Sequence, residues 1–410
     1  MGRISVFIDG GAFRFLMRIG ISTSVIQRGK TGVAQYVMAL LRALRPYSGL
    51  HRFILFVLEE DLSLFDFLGD TMKVVTVPEQ FRPPLKNILW HQSKLSGLAR
   101  QHDLDVLHVP SYRRLLWPRP CALVATIHDL APFHVSGKYE WKRMFYGRVV
   151  ARKLARRQDR IIAISQNTSR DIVQFFGIEQ AKISVVYNGI EHDRFFPGSR
   201  EAARDIVSRK FGLRGPFFLY VARLEHPAKN HVRLISAFER FKIESGSDWS
   251  LVLSGSDWHG AEVIHAAIKK SKFASSIHPL GFVPDEALPD LYRAGEVFVY
   301  PSLYEGFGLP PAEAMACGCP VISSTCGSLG EVVGNAAAIV DPEDVQALSQ
   351  QMRILATQET ERNRLRIAGL AQSQKFDWKT TARMTMKVYE MAVAKRGRNP
   401  QASMRPVIAQ

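Results

Sequence analysis

The chain has 410 residues and an ordinary globular composition, with 46% hydrophobic and 22% charged residues. This length favours two domains over a single core, and the composition excludes a disordered chain. The net charge of +16 is uneven, because residues 1–199 hold 28 Lys and Arg against 16 Asp and Glu, a net +12. An anionic partner is therefore expected for the first half, whether nucleic acid, anionic lipid headgroups or a phosphorylated substrate.

Cysteine usage and the N-terminus bear on the cellular compartment. The four cysteines are too few for a disulfide framework and lack histidines at zinc-ligand spacing, which favours buried thiols in a reducing compartment. Residues 1–9 have no long apolar run behind a basic start, and no stretch reaches about 18 apolar residues. We therefore expect a cytoplasmic protein with neither a signal peptide nor a spanning helix.

Strand-like apolar runs alternate with helical segments along the chain. The opening, 4–9, is predicted to be a buried strand, and a Gly-rich loop up to Thr31 and a helix at 33–44 follow it. The other strands of the first half are predicted at 53–58, 73–77, 106–109, 122–127, 160–164 and 183–186. Those of the second half are predicted at 217–221, 250–253, 278–280, 297–300, 320–323 and 338–340, before a last helix at 376–393.

This alternation predicts an α/β protein in which parallel sheets are covered by helices on both faces. We expect one Rossmann-like domain at 1–195 and a second at 200–375, followed by the helix 376–393 and a loose basic tail at 394–410. Doubly wound domains bind ligands at the carboxyl ends of their strands. A cleft between the domains is thus the expected site.

Two carboxylates follow the predicted strand 297–300. Glu305 falls in the loop that leaves the strand, and Glu313 falls in the first turns of the helix that Pro310 and Pro311 begin. Glycines between them allow a ligand close to the backbone, and the helix N-terminus favours an anion. In a purely structural alternative, Glu313 only complements the helix dipole. That alternative leaves Glu305 unexplained among apolar neighbours.

Two cations follow the first strand of the second half. Arg223 and Lys229 stand in the loop before a helix that is expected near His231. Two fixed positive charges of this kind suit a diphosphate, and the guanidinium can donate to two oxygens at once. Alternatively, both are solvated surface charges. Their position after a strand favours the diphosphate site.

Two further residues of the first half lie at predicted strand ends or helix starts. His128 follows the strand 122–127; a lone histidine is more often structural, but this one is expected at the cleft. The loop 29–32 lacks the full G-x-G-x-x-G spacing, so a nicotinamide site is not indicated. The helix start beside Gly32 still suits a phosphate.

The pair Asp103 and Asp105 has the D-x-D form of a metal site. It precedes the strand 106–109, which places it at the amino edge of the sheet. No metal site is therefore expected.

These elements, in this order, resemble the retaining GT-B glycosyltransferases of family four, which include bacterial mannosyl- and glucosyltransferases. The resemblance extends to about residue 393, and its most specific feature is the Glu-x7-Glu spacing of Glu305 and Glu313. It implies two Rossmann-like domains that face a central cleft, with the helix 376–393 crossing back to the first. It also implies a nucleoside-diphosphate sugar donor and a reaction without metal or cofactor.

The resemblance further implies roles for single residues. Glu313 would hold the ribose hydroxyls of the donor, Glu305 would contact the transferred sugar, and His128 would lie beside the primary hydroxyl of that sugar. The other implied donor contacts are Arg223, Lys229 and Gly32 for the diphosphate, the backbone at Val283 for the base, and the backbone N–H groups of Phe307, Gly308 and Leu309.

The expected reaction transfers a sugar with retained configuration to a glycan or lipid-linked acceptor in bacterial polysaccharide or lipopolysaccharide synthesis. GDP-mannose is favoured over UDP-glucose as the donor. One alternative is a GT-B-fold nucleotide-sugar epimerase, which needs no acceptor. The loop 10–31 is longer than in the family, which leaves the acceptor open.

A second alternative is a non-catalytic basic binding protein. Aromatic and basic residues mix over 139–160, which suits an anionic membrane through Lys142, Arg143 and Arg152. A solvated helix face explains the same pattern. Nucleic acid is disfavoured, because no recognition motif accompanies the charge.

Overall fold

The structure, a computed structural model, describes residues 6–9, 12–29, 31–117, 119–134 and 146–396. Its contacts divide the chain into two compact units. The described parts of 1–130, 140–189 and 378–410 form the first unit, and the described parts of 131–139 and 190–377 form the second. Each unit therefore includes a segment from the other half of the sequence.

The first unit is built on a parallel sheet of seven strands. After a hairpin of β1 (Val6–Asp9) and β2 (Ala12–Phe15), the strands of the sheet are β3 (Arg18–Ser22), β4 (Arg52–Leu58), β5 (Lys73–Val77), β6 (Val106–Val109), β7 (Ala122–Ile127), β8 (Arg160–Ala163) and β9 (Ile183–Val185). Their spatial order is β5-β4-β3-β6-β7-β8-β9. The direction of winding thus reverses between β3 and β6.

The second unit is built on a parallel sheet of six strands. They are β10 (Phe217–Val221), β11 (Ser250–Ser254), β12 (Ile277–Gly281), β13 (Val297–Tyr300), β14 (Val321–Ser323) and β15 (Ala337–Ile339). Their spatial order is β12-β11-β10-β13-β14-β15. Here the winding reverses between β10 and β13, and ligands of doubly wound sheets bind at the carboxyl side of such a reversal.

Helices connect the strands in both units. In the described part of the first unit, the α-helices are Gly32–Leu44, Pro84–Trp90, Ser96–Gln101, Arg152–Ala155, Gln166–Asp171 and Trp378–Ala394. In the second they are Arg200–Phe211, His231–Ser245, Ala261–Lys270, Leu288–Ala294, Leu309–Ala316, Leu329–Val333, Val345–Thr357 and Glu359–Ser373. Side-chain caps begin several of them: the Ser199 hydroxyl accepts from the Ala202 N–H at 3.2 Å, and the Asp344 carboxylate accepts from the Ala347 N–H at 2.9 Å.

The opening segment forms a strand at 6–9, but this strand lies outside the parallel sheet in which the alternation of strands and helices predicts it. Residues 6–9 pair with residues 12–15 in the hairpin, and Arg18–Ser22 takes the central place in the sheet. This strand has only two buried apolar side chains, Ile19 and Ile21, and a Cβ at Gly20 would collide with Leu104. So short an apolar run, broken by glycine, carries little periodicity. The loop before the first long helix is correspondingly shorter than predicted.

The last helix, Trp378–Ala394, packs in the first unit against β6, β7 and β8. Ala382, Val388 and Tyr389 are buried there. A helix from the end of the chain therefore completes the core of the unit that the first half of the chain builds.

Candidate active site

A lysine and a glutamate meet at the carboxyl edge of the second sheet, where the winding reverses. Lys229 lies in the loop after β10 and Glu305 in the loop after β13, and the Lys229 ammonium donates to Glu305 Oε1 at 2.5 Å. The Ser302 hydroxyl at 2.7 Å and the Tyr300 hydroxyl at 2.9 Å donate to the same oxygen. Three converging donors fix a largely buried carboxylate at the place where a ligand is expected.

The loop that carries Glu305 is braced by the segment after β14. The Ser328 hydroxyl lies between the carbonyls of Glu305, at 3.0 Å, and Phe307, at 2.9 Å, and its single hydrogen is shared between them. Gly327 has a φ of 67° and pairs with Glu305, whose carbonyl would collide with a Cβ at this position. A glycine is therefore required at 327, and the backbone of the Glu305 loop is held independently of any ligand.

Asn230 braces the other side of this edge. Its side-chain amide donates to the carbonyls of Pro301 at 2.9 Å and Pro342 at 2.6 Å. Asn230 itself has a φ of 60°, a left-handed conformation that asparagine tolerates better than most residues. One buried side chain thus ties the loop after β10 to the loops after β13 and β15.

Glu313 lies in the helix Leu309–Ala316, where its Oε2 accepts a hydrogen bond from the Tyr292 hydroxyl at 2.9 Å. Burial raises the pKa of Glu313 to about 7, against the opposing effects of the Tyr292 hydrogen bond and the positive charge of Arg194. This carboxyl group therefore titrates near neutral pH.

The start of the same helix offers few backbone donors. Pro310 and Pro311 have no N–H group, so Leu309 is the first helical residue with one. Gly308 precedes it with a φ of 102°, and a Cβ there would lie 2.7 Å from Leu329. Phe307 is buried and its ring packs edge-on against Phe376. The backbone at 307–309 is thus packed tightly from behind.

The second predicted cation, Arg223, has different partners from Lys229. Its guanidinium lies 4.5 Å from the centre of the Trp258 ring and donates to Glu225 at 3.4 Å. Its side chain is 40% exposed, against 15% for Lys229. The structure therefore brings Lys229, but not Arg223, onto Glu305.

Val283, the predicted base-binding position, is buried in the loop that follows β12. The Gly255 N–H donates to the Gly281 carbonyl at 2.8 Å, and a Cβ at Gly255 would collide with the backbone of Ala222. The ends of β10, β11 and β12 thus approach one another closely at this edge.

In the first unit, His128 directly follows β7. Its Nε2 donates to the Pro110 carbonyl at 3.2 Å, and the Tyr36 ring packs against it edge-on at 4.7 Å. Burial lowers the pKa of His128 to about 4, although the Asp129 carboxylate opposes this shift. The ring is therefore neutral at physiological pH, with the hydrogen on Nε2, and Nδ1 is an acceptor.

Gly32 is the first residue of the helix Gly32–Leu44. The Thr31 hydroxyl caps this helix by accepting a hydrogen bond from the Ala34 N–H at 3.2 Å. A Cβ at Gly32 would meet no atom within 4 Å. Packing therefore does not require glycine at this position.

Of the predicted membrane residues, Lys142 and Arg143 lie outside the described residues. Arg152 donates through Nε to the Phe176 carbonyl at 3.4 Å, and Arg156 donates to the same carbonyl at 2.6 Å. Arg152 thus has a local structural role at the end of a helix. Within the described part of the chain, every helix is too short or too polar to cross a bilayer.

Sequence reasoning missed several residues that shape these sites. Tyr300 and Ser302 look like the end of a strand and a turn, and their proximity to Glu305 in sequence was the available signal. Both members of the D-x-D pair accept hydrogen bonds from Arg18. The Arg18 guanidinium donates to Asp103 at 2.9 Å, and the Arg18 backbone N–H donates to Asp105 at 2.9 Å. Among the described residues no cluster of acidic, histidine or cysteine side chains is suited to a metal.

Comparisons with known proteins identify the family. The model of Glycosyltransferase Family 4 matches residues 30–194, and the model of Glycosyl transferases group 1 matches residues 203–372. The chain is 30% identical over 303 residues to O-antigen chain mannosyltransferase B of Escherichia coli, across 74% of this chain and 78% of that protein. It is 29% identical over 318 residues to MMP alpha-(1->4)-mannosyltransferase of Mycolicibacterium hassiacum, across 72% and 73%.

Solved structures show the same fold. The crystal structure of Anabaena Alr3699/HepE in complex with UDP and glucose superposes with a TM-score of 0.72 at 20% identity, across 91% of this chain and 99% of that one. Both family models and the mannosyltransferase relatives indicate a glycosyltransferase. The two parallel sheets agree with the fold of the solved structures. The chain is a glycosyltransferase of the family-four type with the α/β GT-B fold.

Proposed function

We propose that the chain is a retaining mannosyltransferase that moves mannose from GDP-mannose to a glycan or lipid-linked acceptor in bacterial polysaccharide synthesis. The observation that carries the proposal is the contact of Lys229 with Glu305 where the second sheet reverses its winding. Two relatives from different bacteria, both named as mannosyltransferases, support mannose as the sugar.

Glu305 is proposed to bind the ring hydroxyls of the transferred sugar. Its carboxylate is positioned by Lys229, Ser302 and Tyr300 before any ligand arrives, so binding needs little reorganisation. A carboxylate has about four acceptor positions. It can therefore accept hydrogen bonds from sugar hydroxyls beside those from the protein.

Lys229 and Arg223 are proposed to neutralise the diphosphate, which gains negative charge as the bond to the sugar breaks. Backbone N–H groups of Phe307, Gly308 and Leu309 would add donors to a phosphate or sugar oxygen. Arg223 is exposed enough to turn from Trp258 to a ligand. With cations from the protein at this place, the reaction is proposed to need no metal.

Glu313 and Val283 are proposed to hold the nucleoside. An ionised Glu313 would accept hydrogen bonds from both ribose hydroxyls, and the backbone at Val283 would contact the base. The raised pKa of Glu313, to about 7, then makes donor binding dependent on pH.

The two candidate residues of the first unit are proposed to contact the sugar and the diphosphate. His128 is neutral, and its Nδ1 would accept a hydrogen bond from the primary hydroxyl of the sugar. Gly32 would leave space for the diphosphate beside the helix start, since no packing explains its lack of a side chain. The leaving phosphate would assist removal of the acceptor proton on the same face of the sugar, which gives retention.

A thermal-shift panel of GDP, UDP, ADP and CMP tests the nucleotide. At 100 times its Kd, the correct nucleotide stabilises the fold by about 2.7 kcal/mol, and GDP is expected to give the largest shift. Turnover of GDP-mannose with octyl α-D-mannoside, followed by NMR of the anomeric proton, then tests retention. Activity is expected to persist in EDTA.

The same assays test the alternatives. A larger shift with UDP and turnover of UDP-glucose would replace the proposed donor. Conversion of the donor to an epimer in the absence of acceptor would mean an epimerase. Strict dependence on a divalent cation would contradict the proposed role of the two cations.

Contact with anionic membrane surfaces is a separate part of the proposal. The +12 net charge of residues 1–199 is the main support, together with the exposed basic side chains of Lys153 and Arg157 within the run 139–160. Each basic residue near an anionic surface contributes about 1 kcal/mol. Several such contacts are enough for reversible binding.

A further inference from the structure

A buried chain of hydrogen bonds runs through the first unit behind His128. The Tyr389 hydroxyl lies 2.8 Å from His108 Nδ1, and His108 Nε2 lies 2.8 Å from the Thr126 hydroxyl. The Thr126 hydroxyl in turn lies 3.1 Å from the Tyr36 hydroxyl. The Tyr36 ring then packs edge-on against His128 at 4.7 Å between ring centres. The chain thus ends on the candidate sugar-binding histidine.

The four residues of this chain are fully buried and neutral. His108 and Thr126 are 0% exposed, and Tyr36 and Tyr389 are at most 1% exposed. Burial lowers the pKa of His108 to about 3 and raises the pKa of Tyr36 to about 12, so neither ionises near neutral pH. A neutral imidazole donates at one nitrogen and accepts at the other. The hydrogen bond between Tyr389 and Nδ1 therefore determines whether Nε2 donates to the Thr126 hydroxyl or accepts from it.

The last helix supplies one end of this chain. Tyr389 belongs to Trp378–Ala394 and is 281 residues from His108 in sequence. The Trp378 ring from the same helix contacts the Tyr36 ring at 5.9 Å. Tyr36 is therefore held by a hydroxyl contact at its tip and by ring contacts along its sides.

We propose that Tyr389, His108 and Thr126 are positioning residues that fix the Tyr36 ring and, through it, the orientation of His128. The inference rests on the proposed role of His128 in sugar binding. An edge-on ring contact alone allows tilting, whereas a hydrogen bond at the Tyr36 hydroxyl fixes the tilt. The last helix is then a functional part of the sugar site.

Single hydroxyl deletions test the chain with little change of volume. The variants are Tyr389→Phe, Thr126→Val and Tyr36→Phe. The matched control is Thr385→Val on the same helix, because the Thr385 hydroxyl is buried and has no hydrogen-bond partner among the described residues. Each of the four changes removes one buried hydroxyl group. Only Tyr389→Phe, Thr126→Val and Tyr36→Phe break the chain of hydrogen bonds.

The activity readout is the turnover of GDP-mannose with octyl α-D-mannoside, together with the Kd for GDP. Each chain variant is expected to lower kcat about 10- to 100-fold, since a small misplacement of a substrate contact has effects of this size. The Kd for GDP and the control variant are expected to stay within about twofold of the parent. A double variant, Tyr389→Phe with Thr126→Val, is expected to lose no more than the worse single variant, because both break one chain.

A spectroscopic readout separates positioning from loss of stability. With histidine-selective 15N labelling, Tyr389→Phe is expected to shift the ring nitrogens of both His108 and His128, and Thr385→Val neither. A His128 signal that stays unchanged in Tyr389→Phe would overturn the proposal, as would a kcat equal to that of the control.

His128→Ala, assayed in parallel, distinguishes this inference from the function on which it rests. Full turnover in His128→Ala would mean that the proposed role of His128 is wrong. Lost turnover in His128→Ala beside normal turnover in Tyr389→Phe would overturn only the hydrogen-bond chain.

Discussion

The carboxyl edges of the two sheets use different chemistry. In the second unit, Lys229 and Glu305 form a charged pair, and the pKa of the partly buried Glu313 is raised to about 7. In the first unit, the neutral imidazole of His128 lies beside the Asp129 carboxylate, and the buried groups behind it are the His108 imidazole and hydroxyl groups. The charged pair suits the diphosphate and the ring hydroxyls of the sugar, whereas the neutral imidazole of His128 suits the primary hydroxyl of the sugar. The contrast predicts that variants in the two units will differ in the size and the pH dependence of their effects.

The largest effect is expected at the charged edge. Replacement of Glu305 by Ala removes the sugar contact and leaves the Lys229 ammonium without its carboxylate. We expect kcat to fall about 100- to 1,000-fold, the scale for loss of a preorganised electrostatic contact. The Kd for GDP should change little, because Glu305 is proposed to bind the sugar. Steady-state kinetics and GDP calorimetry measure the two quantities.

A matched control for this variant exists in the same unit. Glu343 forms an exposed ion pair with Arg233 at 2.9 Å, and exposed pairs contribute little to stability. Glu343→Ala should therefore keep full activity. Near-normal turnover in Glu305→Ala would show that the site has been placed wrongly.

The neutral His128 of the first unit should give a smaller effect with a different pH dependence. His128→Ala is expected to lower kcat about 10- to 100-fold through loss of sugar positioning. Because the pKa of His128 is lowered to about 4, the parent's pH–rate profile from pH 6 to 8 should show no ionisation that disappears in the variant. An ionisation near pH 6.5 that His128→Ala removes would contradict a neutral role.

Glu313 should affect nucleotide affinity more than turnover. An ionised carboxylate is the better acceptor for ribose hydroxyls, so GDP should bind the parent more tightly at pH 8 than at pH 6, through a pKa of about 7. Glu313→Gln should weaken GDP binding about tenfold at pH 8 and less at pH 6. Calorimetry at both pH values measures this, and an unchanged pH dependence in Glu313→Gln would exclude Glu313 as its source.

The same substitution should change stability in the opposite sense. The pKa of Glu313 is raised from 4.5 to about 7 in the folded state, so the folded protein holds a proton that the unfolded chain has lost. The stabilisation from that proton is complete below about pH 4.5 and is lost as the pH rises through 7. Without ligand, the free energy of unfolding of Glu313→Gln at pH 8 should therefore be about 1–3 kcal/mol larger than that of the parent. Urea denaturation at pH 5 and pH 8 checks the sign.

The carboxyl-edge rule accounts for the positions that the sequence predicts for Glu305, Lys229 and His128. His128 directly follows a regular apolar strand, Lys229 and Glu305 lie in the loops that follow such strands, and parallel strands all end at one edge of their sheet. The fold class followed from the same alternation of strands and helices. The strand Arg18–Ser22 was missed because its central glycine faces neighbouring side chains and leaves only two apolar residues to reveal it.

Side-chain partners far apart in sequence were beyond reach. Nothing in local periodicity links Tyr389 to His108, since the pairing depends on how the last helix packs in the first unit. Arg152 is a similar case: the sequence shows a basic helix face, and only the fold reveals the Phe176 carbonyl beside it. In the sequence alone, a solvated basic residue cannot be distinguished from one that donates a hydrogen bond to a carbonyl at the end of a helix.

Arg152 therefore changes the membrane prediction, which has the smallest expected effect on the reaction itself. Charge reversal of Lys142 and Arg143 should weaken binding to vesicles that contain phosphatidylglycerol by about 1 kcal/mol per residue or more, and high salt should release the parent protein. Neutral phosphatidylcholine vesicles should bind neither protein. Sedimentation with vesicles measures binding, and the Kd for GDP should be unchanged.

Two controls separate membrane contact from general charge and from folding. Arg240→Glu removes an exposed charge from the second unit, where Arg240 pairs with Glu244 at 2.7 Å, and should leave vesicle binding almost unchanged. Arg152→Glu should lower the melting temperature as well as vesicle binding, because its Nε donates to the Phe176 carbonyl. If Arg240→Glu weakened binding as much as the reversal of Lys142 and Arg143, the attraction would come from net charge alone, without a defined surface.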